Sequence, residues 1–226
     1  MKTATKYAPQ NLNEVIYPNT SVEHRIHAYA TGQLEGHVML HGPNGTGKST
    51  AAKLLVNAVG GQHAMLESKD LSELLAIPKL KDHMRRSCEL ARLTTSTKYF
   101  MILEEFDEVK RGVGKFWTAL DACGDNVMAI ITTNHPMSID QSVRSRFDLI
   151  NFAGLSAAAA LPRIQHVLGL EGLVLPNSQV LCYLQQVEHM MDLRKYFKKA
   201  DELLYLHANQ LPFPTCKPVA PVLKVI

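Results

Sequence analysis

The chain has no CxxC pair: Cys88, Cys123, Cys182 and Cys216 stand singly. That spacing argues against a zinc site and against a dithiol redox motif, which leaves buried or idle thiols. No apolar run approaches the roughly 18 residues that suggest a membrane span. The opening Met1-Lys2-Thr3-Ala4 leads into polar sequence, unlike a signal peptide. The expectation is a cytoplasmic protein with no membrane partner. Excess charge is also scarce, with 24 basic against 21 acidic residues and a net charge of +3. Such a balance does not mark a nucleic-acid binder, although it leaves room for a local basic face. Ten histidines give no metal constellation, because His24 and His27, three apart, lack a third ligand. Internal repeats and low-complexity tracts are absent.

What is present is a 226-residue chain, 46% hydrophobic, with enough apolar surface for one large domain or a larger and a smaller one. Its most informative segment is Gly42-Pro43-Asn44-Gly45-Thr46-Gly47-Lys48-Ser49, between the apolar run Val38-Met39-Leu40 and a helical pattern from Thr50 to Val59. Glycines let the backbone curl so that successive N–H groups point at phosphate oxygens, and the following helix adds partial positive charge. Lys48 can reach the outer phosphates, and the Ser49 hydroxyl can ligate Mg²⁺. A bland strand-to-helix turn would not need lysine and serine at those places. The segment implies binding of a nucleoside triphosphate.

Strand-like runs at Val38 to Leu40, Ala64 to Leu66, Tyr99 to Leu103, Val127 to Thr132 and Leu149 to Phe152 alternate with helical patterns. This predicts an α/β fold, a parallel sheet flanked by helices. Gly60-Gly61 stops the first helix, and Asp70-Leu71-Ser72-Glu73 has the form of a capping box. After Gly154 only helical patterns remain, so the expected organisation is an α/β domain over 1–154, a small helical domain over 155–210 and a proline-punctuated tail over 211–226. Phe116 and Trp117 are expected in the core, and Met190-Met191 as core filler.

The strand Tyr99 to Leu103 ends in Glu104-Glu105. Side chains alternate along a strand, so adjacent carboxylates can take separate tasks. Glu104 suits the orientation of Mg²⁺ through its water shell, and Glu105 suits acceptance of a proton from the attacking water. Read alone, such a pair is more often a solvated strand end; downstream of a phosphate loop at this distance the balance reverses.

The string Glu104-Glu105-Phe106-Asp107 resembles the acidic box of the AAA+ ATPases, and more narrowly that of sliding-clamp loader small subunits. Further landmarks follow in order. Thr132-Thr133-Asn134 is similar to the strand end that carries the polar sensor 1 residue. Ser145-Arg146-Phe147 resembles the Ser-Arg-Cys motif of the arginine finger, with Arg144 as the competing candidate. Asp192-Leu193-Arg194-Lys195 resembles the sensor 2 motif of the helical lid. Lys6-Tyr7-Ala8-Pro9, with Leu12 and Glu14-Val15-Ile16, is similar to the family's opening and its adenine-contacting segment. The resemblance implies a site made of the loop Gly42 to Thr50 with Val15 and Ile16 for ATP, Ser49 and Glu104 for Mg²⁺, and Glu105, Asn134, Arg146 and Arg194 for turnover.

Departures from the family pattern are Glu104 for an aspartate, Ala8 for an arginine and Phe147 for a cysteine. The added methylene at Glu104 implies slower turnover. The sequence also lacks the helical collar of clamp-loader subunits, so the expected partners are other AAA+ modules, a sliding clamp or another replication or recombination protein, and DNA. Lys81 and Arg85 are four apart and share a helix face, which with Arg86 can track phosphates or can be a solvated face. Lys79, Arg92, Lys110, Arg111 and Lys115 are further candidates. Beside the clamp-loader reading stand a collarless regulator, such as a helicase loader or transposition ATPase, and a nucleotide-dependent scaffold that hydrolyses little.

Overall fold

The computed structural model describes residues 3–93, 98–106 and 113–213. Five strands, β1 (His37–His41), β2 (Leu66–Lys69), β3 (Tyr99–Leu103), β4 (Val127–Thr133) and β5 (Phe147–Asn151), form a parallel sheet in the order β2-β3-β4-β1-β5. The helices are α1 (Thr3–Lys6), α2 (Thr20–Ala30), α3 (Lys48–Gly60), α4 (Leu71–Leu75), α5 (Leu80–Leu93), α6 (Val113–Cys123), α7 (Gln141–Arg144), α8 (Ala157–Leu170), α9 (Asn177–Gln185) and α10 (Leu193–Ala208).

Every residue of β3 and β4 is buried, as expected of parallel strands with helices on both faces. Their side chains alternate between two cores. Phe100, Ile102 and Ile130 pack with Ile26 of α2 and Leu55 of α3, whereas Met101, Leu103, Ala129 and Ile131 pack with Met84 of α5 and Phe116 and Leu120 of α6. Trp117 joins the second core, as expected, but Met190 and Met191 are about half exposed, not the core filler the sequence suggested. The edge strand β2 lies further along the chain than the apolar run Ala64 to Leu66 indicated. An edge strand needs burial on only alternate positions, and here Glu67 points inward, accepting from Tyr99 Oη and, at 3.2 Å, contacting His83 Nε2. Asp70 caps α4 by accepting from Glu73 N at 2.8 Å.

The chain divides into two compact units. One holds residues 9–153 and the sheet. The other holds residues 154–213 together with residues 3–8, so the opening segment, expected with the α/β domain, belongs with the helices. Long-range bonds decide this. Thr3 N donates to Asp201 Oδ1 at 2.9 Å, Lys6 Nζ and Tyr7 Oη donate to Glu171 Oε1 at 2.6 and 2.8 Å, and Arg163 Nη2 donates to the Tyr7 carbonyl at 3.0 Å. No described helix is long and apolar enough to cross a membrane.

Candidate active site

Strand register brings the candidate residues to one edge of the sheet. His41 pairs with Thr133 and Leu103 with Ile131, so Gly42, Asn134 and the two glutamates all leave the carboxyl ends of adjacent strands. Backbone bonds continue the ladders past those ends: Gly42 N to Thr133 O at 3.2 Å, and Phe106 N to Thr132 O at 3.0 Å. In open α/β sheets this edge is where ligands bind.

The loop has the backbone its glycines allow. Gly42, Gly45 and Gly47 have φ of 144, 74 and 92°, a region costly for residues with a Cβ. At Gly42 space is also decisive, since a Cβ there would lie 2.0 Å from the Phe152 carbonyl oxygen. Gly47 then caps α3, whose first turn presents Lys48, Ser49 and Thr50. This cradle, with its helix N-terminus and lysine, suits a polyphosphate. Val15 is buried against the α3 side of the sheet and Ile16 is half-buried.

Lys48 is only 8% exposed, and a buried ammonium needs acceptors. It donates to the carbonyls of Gly42 and Pro43, each at 2.7 Å, and to Asn134 Oδ1 at 3.0 Å. The loop lysine and the strand-end amide, 86 positions apart, are thus in direct contact. Burial, with the Lys48 charge added, lowers the pKa of neighbouring His41 below the ordinary imidazole value.

The two glutamates separate as strand alternation requires. Glu104 forms an ion pair with Lys53 of α3 at 2.9 Å and accepts from Ser68 Oγ at 3.4 Å. Glu105 is exposed, with φ of 52°. Its N–H donates to Thr132 Oγ1 at 3.4 Å, and the next residue, Phe106, is buried. Seating that ring forces the turn at Glu105. The sequence does not single out Lys53, and it marks Thr132 only as part of the Thr132-Thr133-Asn134 strand end, with no contact to Glu105 assigned. Asp107, Lys110 and Arg111 lie outside the described residues.

Arg146 follows α7 and is exposed. Its Nε and Nη2 donate to the two carboxylate oxygens of Asp121 on α6, each at 3.2 Å, and its Nη1 donates to the Ser142 carbonyl at 2.7 Å. Arg144 is half-buried and donates to Met137 Sδ at 3.2 Å. Arg194 lies in the helical unit, exposed in the first turn of α10, where its N–H is capped by Asp192 Oδ1 at 2.8 Å. Lys81, Arg85 and Arg86 are exposed on α5, with Lys79 just before it, while Arg92 donates to Asn126. Cys88 and Cys123, 35 positions apart in sequence, are buried side by side between α5 and α6, and burial pushes the Cys88 thiol up to about 12. Among the described residues no cluster of three or more ligating side chains could hold a metal by itself, so Mg²⁺ would rely on Ser49, Glu104 and phosphate oxygens, the usual way that ion is held.

The family model for the ATPase family associated with various cellular activities (AAA) matches residues 38–155, from β1 to just beyond β5. A replication factor C small subunit from Pyrobaculum arsenaticum is 24% identical over 74% of this chain and 52% of its own length. One from Natronomonas pharaonis is 25% identical over 77% and 54%, and a replication factor C large subunit from Haloquadratum walsbyi is 27% identical over 74% and 34%. The chain thus spans about half the length of the small subunits it matches. A RuvB variant from Thermotoga maritima shares the fold, with a TM-score of 0.68 at 16% identity over 90% of this chain and 67% of that one. Glycine cradle, buried lysine, strand-end carboxylates and a family match over more than half the sequence agree: the chain belongs to the AAA family of ATPases.

Proposed function

We propose that this protein binds ATP with Mg²⁺ and hydrolyses it at junctions between AAA modules, driving a DNA-associated assembly of the clamp-loader type. The observation that carries the reading is the contact between Lys48 Nζ and Asn134 Oδ1 at 3.0 Å, beside the strand end from which Glu105 projects. It joins the phosphate loop to a polar group able to orient a water, one strand from a carboxylate able to deprotonate it.

In this reading the loop N–H groups and Lys48 hold the phosphates, and a phosphate oxygen takes over donors that Lys48 now shares with loop carbonyls. Ser49, and Glu104 through water, would hold Mg²⁺, which supplies neutralising charge to the phosphates. Glu105 accepts the proton of the attacking water, Asn134 orients it, and Val15 and Ile16 border the base. Arg146 from a neighbouring module and Arg194 from the helical unit offset charge on the transferred group. The similarity to replication factor C subunits favours DNA and a sliding clamp as partners, with exposed Lys81, Arg85 and Arg86 as phosphate contacts.

The test is nucleotide affinity and phosphate release on purified variants. Lys48→Ala is expected to lose ATP binding, and Glu105→Gln to bind ATP while losing turnover. Normal hydrolysis by Glu105→Gln removes the proposed base. Failure to bind primer–template DNA in the presence of ATP and a clamp moves the function to remodelling of another protein.

A further inference from the structure

Arg146 is an exposed side chain on the loop between α7 and β5, yet its guanidinium is fixed on two sides. Asp121, in the last turn of α6, takes Nε and Nη2 in a paired fork with both distances 3.2 Å. The Ser142 carbonyl takes Nη1 at 2.7 Å. Three of its five N–H groups are thereby engaged, and the other two, on Nη1 and Nη2, have no acceptor among the described residues. Both partners face water, with side-chain exposures of 36% and 57%, so the pair adds little to fold stability. Its effect falls on orientation. A free arginine explores many rotamers, and a planar fork removes most of that freedom in advance.

We infer that Asp121 is a positioning residue for Arg146, holding its guanidinium so that the outward N–H groups meet the phosphate of a neighbouring module's nucleotide. The inference rests on the reading of Arg146 as a finger acting across a junction. Asp121 works through the arginine and is given no contact of its own with the reacting groups. It acts as the carboxylate behind an arginine, removing the search for a productive rotamer before the neighbour arrives.

The experiment measures steady-state hydrolysis of the assembled protein for Asp121→Ala, Asp121→Glu and Arg146→Ala, with melting curves to verify folding. Asp121→Ala is expected to lower kcat by about a hundredfold, the scale of a catalytic group misplaced by about 1 Å, with the KM for ATP unchanged. Asp121→Glu restores most of the rate, and Arg146→Ala removes nearly all of it. Mixing separates the mechanism from a general structural role. Combined with Lys48→Ala subunits, whose fingers and aspartates are intact, Asp121→Ala subunits regain the normal rate per productive junction. Combined with Arg146→Ala subunits they do not. If Asp121→Ala is slow but shows no recovery with Lys48→Ala, the aspartate serves its own subunit's site and the inference fails. If Arg146→Ala is inactive while Asp121→Ala turns over normally, the positioning role alone fails. Normal turnover by Arg146→Ala removes the finger reading, and the inference with it.

Discussion

Glu105 is held in a left-handed conformation, φ 52°, that a glycine would occupy without penalty. A residue with a Cβ loses about 1–2 kcal/mol there. The turn is imposed from both sides, by the hydrogen bond to Thr132 Oγ1 and by the buried ring of Phe106 with its N–H on the Thr132 carbonyl. Replacing Glu105 by glycine releases the penalty but adds freedom to the unfolded chain, worth about 0.4–1 kcal/mol in the opposite direction. The two ranges subtract to about 0–1.6 kcal/mol, so the net expectation for Glu105→Gly is a gain of about 0.8 kcal/mol. In a chain of this size that raises Tm by roughly 1–4 °C. Glu105→Gln keeps the strain and should melt with the parent. Both variants should bind ATP, and neither should release phosphate. Thermal or urea unfolding at pH 7.5, run beside a phosphate-release assay, reads both properties. A Glu105→Gly protein that melts below the parent contradicts the strain argument, and one that still hydrolyses ATP contradicts the role of the carboxylate.

Arg146→Ala should retain ATP binding and lose hydrolysis, and mixing it with Lys48→Ala should recover part of the rate; no recovery despite demonstrated co-assembly rules out action across a junction. ATP-dependent DNA binding, followed by anisotropy through a salt series, should weaken as salt rises, and neutralising Arg85 and Arg86 together should flatten the log–log slope by about two; an unchanged slope removes α5 from the DNA contact. Burial lowers the pKa of His37, and burial with the Lys48 charge lowers that of His41, from the ordinary 6.5. Just below pH 6.5 the unfolded chain therefore binds more protons than the folded one, so this stability is complete above that pH and lost as pH falls through the folded values. Tm measured from pH 8 to pH 5 should decline across that window, before the carboxylates titrate, and a flat profile contradicts it.

The phosphate loop was legible in sequence because its chemistry is contiguous, with glycines, lysine and serine inside one strand-to-helix turn. The fully buried strands β3 and β4 were legible too, since burial on both faces leaves an unbroken apolar run. β2 was displaced because an edge strand has no such run and its inward Glu67 reads as surface. The left-handed turn at Glu105 left no local mark, being enforced by a threonine 27 positions away. Likewise the pairing of Arg146 with Asp121, and of Lys53 with Glu104, depends on helices packed against the sheet. Residues 3–8 were assigned by proximity in sequence to the α/β domain, whereas Asp201, Glu171 and Arg163 draw them to the helical unit.

That last feature sets an order of events on the ribosome. In chain order the sheet-bearing unit is an insertion within the helical one, since residues 3–8 precede it and residues 154–213 follow it. The inserted unit can close its cores once Ala153 has emerged. Thr3, made before the inserted unit, waits for Asp201, made after it. At about 5–20 residues per second of synthesis, the 198 positions between Thr3 and Asp201 take roughly 10–40 seconds, and roughly the last 2–10 seconds of that follow the synthesis of the sheet-bearing unit. Its polar composition, Thr3, Thr5 and Lys6, keeps it solvated through that interval, and the helical unit is completed only when the two ends of its own sequence meet.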